Sequence, residues 1–474
     1  MSEVAVNKEV PKGWVSVPLE DCVEILDSRR IPLNSKERSV RTEGKSQDQL
    51  YPYYGATGQV GFIDDFIFEG EHLLIGEDAA PFFDKSKNVA YIAKGKFWVN
   101  NHAHILNALE GVTSNKYLLH YLNRFNYEGF VGGTTRLKLN QGNLKQIPVP
   151  LAPPEQQKRI VAKIEELFSH IDAGIEALKK AKQLLKQYRQ SVLKAAVTGE
   201  LTKEWREANK DKSEPASQLL ERILKERREK WEEQQLEKFK TKGKIPKGDK
   251  WKEKYEIPKV FNKEYKFDIP KTWVSCSFES LLSEKLKNGH SAKESLNGKG
   301  IRTLTLTAVT KGDFCEKNTK ITVAEPNKAK DIWLESGDIL IERSNAPDLV
   351  GISKLYLGES NYAIYPDLII RARVVDSLLP EFVEIVLQSK ATRNYFKSTA
   401  QGMSGSMPKI NQDIIKKLFF PLPAKKEQHV IVRQVEEKID AFNRLIGEIE
   451  IQLMKAEKNK QSVLTSAFTG ELQS

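Results

Sequence analysis

A twelve-residue phrase that occurs twice constrains the fold of this chain more than any other feature. QSVLKAAVTGEL covers residues 190–201 and QSVLTSAFTGEL covers residues 461–472, so that Ser191 and Ser462 lie 271 positions apart. The chain has 474 residues, which by itself favours two or three domains over a single hydrophobic core. The repeated phrase indicates that two of these domains are copies of one unit.

The similarity extends well beyond this phrase. At the same offset, residues 160–201 match residues 431–472 without a gap, and LNQGNLKQIPVPLAPPEQ matches INQDIIKKLFFPLPAKKEQ just upstream. Further upstream, HLLIGEDAAP matches DILIERSNAP at an offset of 266, and PKGWVSV matches PKTWVSC at an offset of 259. Matches in the same order with slowly rising offsets indicate a duplicated domain pair, because solenoid repeats are far shorter.

Each copy begins with a mixed globular part and ends with a long helix. Short β-type runs such as LLIGE and LIIRARVV alternate with helix-like stretches such as SNKYLLHYLNRF, which predicts an α/β (mixed α+β) fold. A proline-rich stop precedes each helix, as is common at helix starts. The predicted domains are a first globular domain (1–154), a first spacer helix (155–202), a charged helical or linker insert (203–265), a second globular domain (266–426) and a second spacer helix (427–474).

Both long helices carry apolar residues at alternating three- and four-residue steps, the pattern of a coiled-coil seam. The first predicted seam comprises Ile160, Ile164, Leu167, Ile171, Leu178, Leu185 and Val192, and the second Ile431, Val435, Phe442, Ile449 and Val463. Two such helices in one chain are expected to pair with each other, antiparallel and within the molecule. The alternative is that each helix packs on its own globular domain.

The charge of the chain favours a polyanionic partner. Seventy-five lysines and arginines against 64 acidic residues give a formal net charge of +11. No apolar stretch is long enough to cross a membrane, and the N-terminus lacks a secretory signal, so the expected location is the cytoplasm. The three scattered cysteines form no CxxC pair and predict neither a disulfide framework nor a metal site.

The sequence shows no convincing catalytic motif. GATGQVG predicts a tight turn, since no helix follows it, and no GxxxxGK[ST] phosphate loop occurs. His102 and His104 share a strand face, but a third metal ligand is not evident, so we predict structural histidines and no metal. YPDLIIRAR lacks the acidic-x-Lys pair of many nucleases, and the Asn-Pro-Pro-aromatic motif of adenine methyltransferases is missing. We therefore expect a chain without catalytic residues.

Several loops instead carry residue types suited to DNA. Backbone amides, hydroxyl groups and cations contact phosphates, whereas arginine and asparagine read base edges in the major groove. The candidate DNA-binding residues are Arg29, Arg30, Tyr54, Thr134, Thr135, Arg136 and Lys138 in the first copy, and Arg343, Ser344, Asn345, Ser404, Ser406 and Lys409 in the second. The alternative for any one of these loops is a solvated turn.

The chain resembles the specificity subunit of a type I restriction–modification system. The resemblance covers essentially the whole chain and rests on EQQKRIVAKIEELF combined with SVLKAAVTGEL, and on RIPLN, PYYGATG and LLIGEDAAPFF, which are similar to one class of target-recognition domains. The family often has a glycine where this chain has Ala79 or Ala80. A long charged insert after TGELTKEW is also similar to some members.

The resemblance implies a division of labour in a larger complex. Each globular domain would be a target-recognition domain that reads one half of a split, asymmetric DNA site, and the helices would set the gap between the halves. Two modification subunits would dock on the helices and methylate adenine N6 with S-adenosylmethionine, and two motor subunits would use ATP and Mg²⁺ for translocation and cleavage. No cofactor is expected in this chain. The alternatives are a stand-alone duplicated DNA-binding regulator, a coiled-coil adaptor without restriction partners, and an independent endonuclease.

Overall fold

The computed structural model describes residues 10–84, 86–209, 214–241, 243, 248–402 and 407–472. The chain forms two compact units. Unit 1 comprises residues 1–182 and 447–474, and unit 2 comprises residues 183–446. Each unit thus contains one globular domain and a segment of each long helix.

Unit 1 is built around a mixed β-sheet of six strands. Its elements are β1 (Val15–Pro18), β2 (Val23–Ile25), α1 (Ser35–Thr42), β3 (Tyr51–Gly55), β4 (Gly58–Ile63), β5 (Phe68–Gly76), β6 (Ala90–Val99), β7 (Ala103–Ala108), α2 (Asn115–Leu122), α3 (Gln141–Lys145), β8 (Pro148–Leu151) and α4 (Pro154–Val197), of which residues 154–182 belong to this unit. The sheet order is β2-β7-β5-β6-β3-β4, and only β3 and β6 run parallel. A separate antiparallel ribbon joins β1 to β8.

Unit 2 contains a smaller sheet of the same plan. Its elements are α5 (Lys203–Ala208), α6 (Ala216–Thr241), β9 (Val274–Ser277), β10 (Lys287–Asn288), β11 (Ile301–Leu304), α7 (Leu306–Lys311), β12 (Thr319–Thr322), α8 (Pro326–Ala329), β13 (Ile339–Glu342), β14 (Ser353–Leu355), β15 (Ile369–Ala372), α9 (Pro380–Gln388), α10 (Lys390–Thr399), α11 (Gln412–Lys416), β16 (Phe419–Leu422) and α12 (Lys425–Phe468). The main sheet has the order β10-β15-β13-β14, and β9 pairs with β16.

The two units share their strand register. The order β10-β15-β13-β14 repeats β2-β7-β5-β6, and Ile339 pairs with Leu355 as Leu73 pairs with Ile92. Unit 1 adds the β3–β4 hairpin, whereas unit 2 adds the β11–β12 hairpin with α7 and α8. The structure therefore confirms the mixed α/β fold and shows the duplication in strand pairing as well as in sequence.

The long helices α4 and α12 have 44 residues each and pack together, antiparallel, within each unit. In unit 1, Lys460 of α12 pairs with Asp172 of α4 at 2.5 Å, and Lys182 pairs with Glu450 at 2.7 Å. In unit 2, Val192 and Leu193 of α4 share a core cluster with Ile431 and Val435 of α12. The expected pairing of the two helices is confirmed.

The twelve predicted seam residues are all buried or half-buried. Ile164 is fully enclosed, whereas Tyr188 and Leu445, which follow the same spacing, remain 49% and 46% exposed. A 3.5-residue repeat drifts around a straight helix that has 3.6 residues per turn, so not every position of the pattern can face the partner.

The doubled phrase forms the end of each long helix. Gly199 and Gly470 adopt left-handed conformations with φ of 75° and 78°, the usual way to terminate a helix. The Leu201 amide then donates to the Ala195 carbonyl, as the Leu472 amide donates to that of Ser466. Each TGEL sequence thus ends its helix, and the leucine amide then bonds back to a carbonyl of the last helical turn.

The insert between the copies is largely helical. Within the predicted insert (203–265) lies α6, whose residues Ala216, Leu219 and Ile223 are buried in unit 2. Farther along, Trp231 stacks on Trp251 at 6.0 Å. No helix in the described part of the chain is long and apolar enough to cross a membrane.

Candidate nucleic-acid interface

In unit 1 the candidate DNA-binding residues 134–138 lie on one exposed hairpin. Gly132 and Lys138 exchange backbone hydrogen bonds of 3.0 and 2.8 Å, which close a loop around Thr134, Thr135 and Arg136. Gly133 has a φ of 102°, and a Cβ atom there would lie 2.3 Å from the Arg136 carbonyl oxygen. Only glycine allows this turn, so the first-hairpin loop (residues 132–138) has a defined shape.

The base of the first hairpin is tied to the loop that follows β5. The Ala79 amide donates to the Leu137 carbonyl at 3.0 Å, and the Leu139 amide donates to the Glu77 carbonyl at 2.7 Å. Ala79 itself has a φ of 53°, a conformation that glycine adopts more easily. This explains on physical grounds why a glycine is suited to this position.

Ion pairs hold the cationic side chains of the first hairpin at its base. Arg136 contacts Asp78 at 2.8 Å and His102 at 3.3 Å, and Lys138 contacts Glu77 at 3.0 Å. The Arg136 and Lys138 side chains nevertheless remain 57% and 54% exposed. The carboxylates of Asp78 and Glu77 are only 15% and 12% exposed, so each pair joins an exposed cation to a largely buried anion.

Beneath the first hairpin lies a buried charged cluster. Arg30 donates to Glu77 at 2.6 Å and to the Ala103 carbonyl at 2.9 Å, and Asp27 contacts His104 at 2.5 Å. Burial raises the pKa of Asp27, but hydrogen bonding and charge from His104, the Ile105 amide and Arg30 together hold that pKa below its ordinary value. Burial likewise opposes ionisation of Glu77, yet Arg30 and Lys138 lower its pKa.

Three donor atoms of this cluster lie close enough to hold a metal ion. Asp27, Glu77 and His104 place one ligand atom each within 4.8 Å of one another, the only such group among the described residues. The guanidinium of Arg30 already contacts both carboxylates. The guanidinium of Arg30 therefore already supplies these two carboxylates with the positive charge that a metal ion would bring.

Arg29 and Tyr54 lie apart from the first-hairpin loop. Arg29 is exposed, donates to the Ile67 carbonyl at 3.2 Å and stacks over Phe68. Tyr54 is half-buried and contacts the ring of Phe97 at 5.6 Å. Arg30 is half-buried in the charged cluster, so its guanidinium is engaged within the protein.

Unit 2 carries a second hairpin in the corresponding place. Gln401 and Lys409 exchange backbone hydrogen bonds of 2.8 Å, and the Ile410 amide donates to the Arg343 carbonyl at 2.9 Å. Lys409 and Gly402 are exposed. Ser404 and Ser406 lie outside the described residues, so their predicted role stays a prediction.

The loop after β13 supports this second hairpin, of which residues 401–402 and 407–409 are described. Arg343 and Asn345 are half-buried, and Ser344 is only 2% exposed. Asn345 donates to Glu342 at 2.5 Å, which holds the amide within its own loop. Burial raises the pKa of Glu342 despite hydrogen bonds from Thr310 and Asn345.

The two hairpins share a backbone connection but differ in their side chains. Leu139 bonds to Glu77 in unit 1 as Ile410 bonds to Arg343 in unit 2. His104 pairs with Ile75 in the sheet of unit 1. At the corresponding position of unit 2, Ile370 pairs with Ile341. At the position of His104 in the charged cluster, unit 2 therefore has the buried apolar residue Ile370.

Sequence reasoning identified the hairpins but missed the residues that anchor them. Asp78, Glu77 and Asp27 contact the candidate residues, although none was selected from the sequence. The nearest signal was the pair His102 and His104 on one strand face. Their contacts are separate: His102 lies beside Asp78 and Arg136, whereas His104 is buried against Asp27.

Comparison with known proteins shows what the chain is similar to. Residues 11–186 match the type I restriction modification DNA specificity domain. The chain is also 25% identical, across 98% of its length and 90% of the relative, to the Type I restriction enzyme EcoKI specificity subunit of Escherichia coli K12. The chain is thus similar to type I restriction enzyme specificity subunits along nearly its whole length. The StySPI specificity subunit of Salmonella potsdam is 24% identical over the same shares of the two chains.

A similar fold is found among solved structures. One chain, from a structure concerned with complex assembly and conformational transition of the type I R-M system, aligns with a TM-score of 0.63 and 16% identity. The alignment covers 98% of this chain and all of the other chain. The similarity includes both copies of the repeat.

Proposed function

We propose that each unit of this specificity subunit reads one half of a bipartite, asymmetric DNA site. The observation that carries the proposal is the pair of hairpins, each fixed by the same backbone hydrogen bond to the loop after a central strand. A rigid backbone with variable exposed side chains is suited to reading different bases on a shared scaffold. Base contacts would specify the sequence, and contacts to phosphates would position the duplex.

In the first unit, Arg136 and Lys138 are the leading candidates for DNA contact. Both are exposed cations at the mouth of the first hairpin, beside the hydroxyl groups of Thr134 and Thr135. In the second unit, exposed Lys409 has the corresponding position. Arg30 is half-buried and Ser344 is buried, so both are placed to support their loops. Their assignment as DNA contacts remains a prediction.

The remaining parts of the proposal concern the complex. The two helices would set the unread gap and dock two adenine-methyltransferase subunits, which would use S-adenosylmethionine on a flipped adenine. Two ATP- and Mg²⁺-dependent motor subunits would carry out translocation and cleavage. Catalysis would belong to those partner subunits, and this chain would recognise the DNA sequence on which they act.

The test is to express this chain with its methyltransferase subunit and map methylated adenines across a genome. We expect two short motifs separated by a gap of constant length. Arg136→Ala should relax the sequence requirement in one half of the motif, and Lys409→Ala should weaken recognition of the other half. Lys158→Ala, which removes an exposed cation from α4, serves as the charge-matched control and should leave both halves intact. A continuous motif, or methylation without sequence preference, would refute the bipartite proposal.

A further inference from the structure

A loop of unit 2 in which the sequence indicated no site residue begins next to the second hairpin. Residues 289–300, the β10 loop, connect β10 to β11. The side-chain oxygen of Asn288, the last residue of β10, accepts a hydrogen bond of 3.0 Å from Gln412. Gln412 begins α11, three positions after Lys409 of the second hairpin. The start of the β10 loop is therefore attached to the segment that follows the hairpin.

The glutamine of the repeated NQ sequence makes the same attachment in unit 1. Gln141, the counterpart of Gln412, donates to Asp27 at 3.2 Å. Asp27 therefore corresponds to Asn288, and the loop that follows Asp27 contains two of the candidate DNA-binding arginines. The β10 loop has the corresponding place in unit 2, although its sequence contains no arginine.

Close contacts hold the first residues of the β10 loop against the loop that precedes β15. The His290 amide donates to the Tyr365 carbonyl at 2.9 Å, and the Ser291 hydroxyl donates to the carboxylate of Asp367. A Cβ atom at Gly289 would lie 2.1 Å from the Tyr365 carbonyl oxygen, so only glycine allows this approach. The β10 loop thus begins with a defined backbone shape.

The loop that precedes β15 in turn joins the second hairpin. The Arg343 amide donates to the Leu368 carbonyl at 2.7 Å, and the Ile410 amide donates to the Arg343 carbonyl at 2.9 Å. Leu368 also lines one surface depression together with Met407 and Lys409 of the hairpin. The β10 loop, the loop after β13 and the second hairpin therefore belong to one continuous surface of unit 2.

Two side chains of the β10 loop are available to an outside partner. Lys293 is exposed and makes no ion pair within the described part of the chain, and the Val323 amide holds its carbonyl at 3.0 Å. His290 is half-buried, and its ring nitrogens make no hydrogen bond to another described residue. Glu325 is the carboxylate whose charge acts on His290, and it already pairs with Lys328 at 2.7 Å. Ring nitrogens suit base edges, and an exposed lysine suits a phosphate.

We propose that the β10 loop is a further DNA-contacting element of unit 2, in which His290 contacts a base edge and Lys293 contacts a phosphate. The assignment rests on the proposed function, because it extends the surface that reads the second half-site beyond the second hairpin. A DNA duplex is the partner of matching chemistry, since the loop presents a cation and hydrogen-bonding groups on a fixed backbone beside exposed Lys409.

The first experiment tests the base contact with the full chain bound to its methyltransferase subunit. Duplexes with either half-site scrambled are titrated with the wild type, with His290→Ala and with His429→Ala, which replaces an exposed histidine on α12 as the matched control. We expect His290→Ala to weaken binding about tenfold through the half-site that Lys409→Ala also affects, and the control to match the wild type. Unchanged affinity, or an equal loss at both half-sites, would overturn the base contact.

The second experiment tests the phosphate contact through the salt dependence of binding. In Lys293→Ala the slope of log Kd against log salt concentration should fall by about 1, because one fewer counterion is released. Lys390→Ala, which removes an exposed lysine at the start of α10, should leave the slope unchanged. A wild-type slope in Lys293→Ala would overturn the phosphate contact. One continuous motif for the wild-type complex would instead refute the proposed function, and the slope would still decide whether the β10 loop contacts DNA.

Discussion

Gly199, at the end of α4, is the residue whose replacement tests the structure of the doubled phrase most sharply. Its φ of 75° costs an alanine about 1–2 kcal/mol. An added Cβ atom would also lie 2.3 Å from Pro270 Cγ and 2.9 Å from Cδ, a contact that forces the proline or the helix end to move. Overpacking of this kind typically costs about 1–3 kcal/mol. Gly199→Ala should therefore lower the free energy of unfolding by about 2–5 kcal/mol.

The measurement is urea unfolding followed by circular dichroism, with a matched glycine on the same helix as control. Gly174 lies in the helix interior, and an added Cβ atom there meets no atom within 4 Å. Gly174→Ala should stabilise the chain by about 0.5–1 kcal/mol, because alanine favours helix more than glycine. Equal effects of the two substitutions would refute the reasoning.

A double change separates the two causes of the loss. Pro270→Ala removes the ring atoms that the new Cβ would meet but leaves the backbone conformation unchanged. In a double-mutant cycle, the cost of Gly199→Ala should fall by about 1–3 kcal/mol in the Pro270→Ala background. An unchanged cost would show that backbone strain alone accounts for the effect.

Three further results are expected. Arg136→Ala should weaken binding to the cognate duplex by about 1–3 kcal/mol if it contacts a base, with a reduced salt dependence if it contacts phosphate, as measured by fluorescence anisotropy at several salt concentrations; unchanged affinity and salt dependence would remove it from the interface. Burial lowers the pKa of His120 to about 4, so protonation favours the unfolded chain, and stability that is complete above pH 6.5 should fall by about 2 kcal/mol at pH 5. His120→Phe should abolish that part of the decline in urea unfolding, and an identical decline in the variant would contradict the assignment. Trp273→Phe removes the donor to buried Glu427 at 2.9 Å and should cost about 1–3 kcal/mol in thermal unfolding, whereas a loss below 0.5 kcal/mol would show that the hydrogen bond contributes little.

The hairpins show how far sequence reasoning reaches at the candidate site. Glycines, threonines and cations between residues 132 and 138 indicated an exposed loop, because that composition is typical of turns and phosphate contacts. The same reasoning selected Arg30 and Asn345, which the structure shows bound to Glu77 and Glu342. The sequence does not show whether a loop arginine such as Arg30 faces solvent or binds a carboxylate 47 residues away, as Arg30 binds Glu77. Its partner is decided only when the strands come together.

The helices show the complementary case. The seam that contains Ile164 and Val435 could be predicted from the sequence. The residues on the buried face of an amphipathic helix recur at a regular spacing, and this spacing can be recognised within one short segment. The direction of pairing followed from two such helices in one chain. The exposure of Tyr188 did not follow, because it depends on where a straight helix leaves its partner.

The sequence by itself determined that this protein is a duplicated unit, each copy with a mixed domain and a long helix that stops at TGEL. Those properties depend on local periodicity, on helix-ending glycines and on repeated sequence segments, and each of these can be recognised within a short stretch of the chain. Only the tertiary structure decided what each helix end meets: Gly199 of the first copy packs on Pro270 of the second, and Gly470 of the second packs on Pro11 of the first. Each helix stop thus meets the proline that precedes the first strand of the other copy, and the two residues in contact are 71 positions apart in one case (270 − 199) and 459 in the other (470 − 11). Each copy of the doubled phrase thus places its helix-ending glycine against the corresponding proline of the other copy.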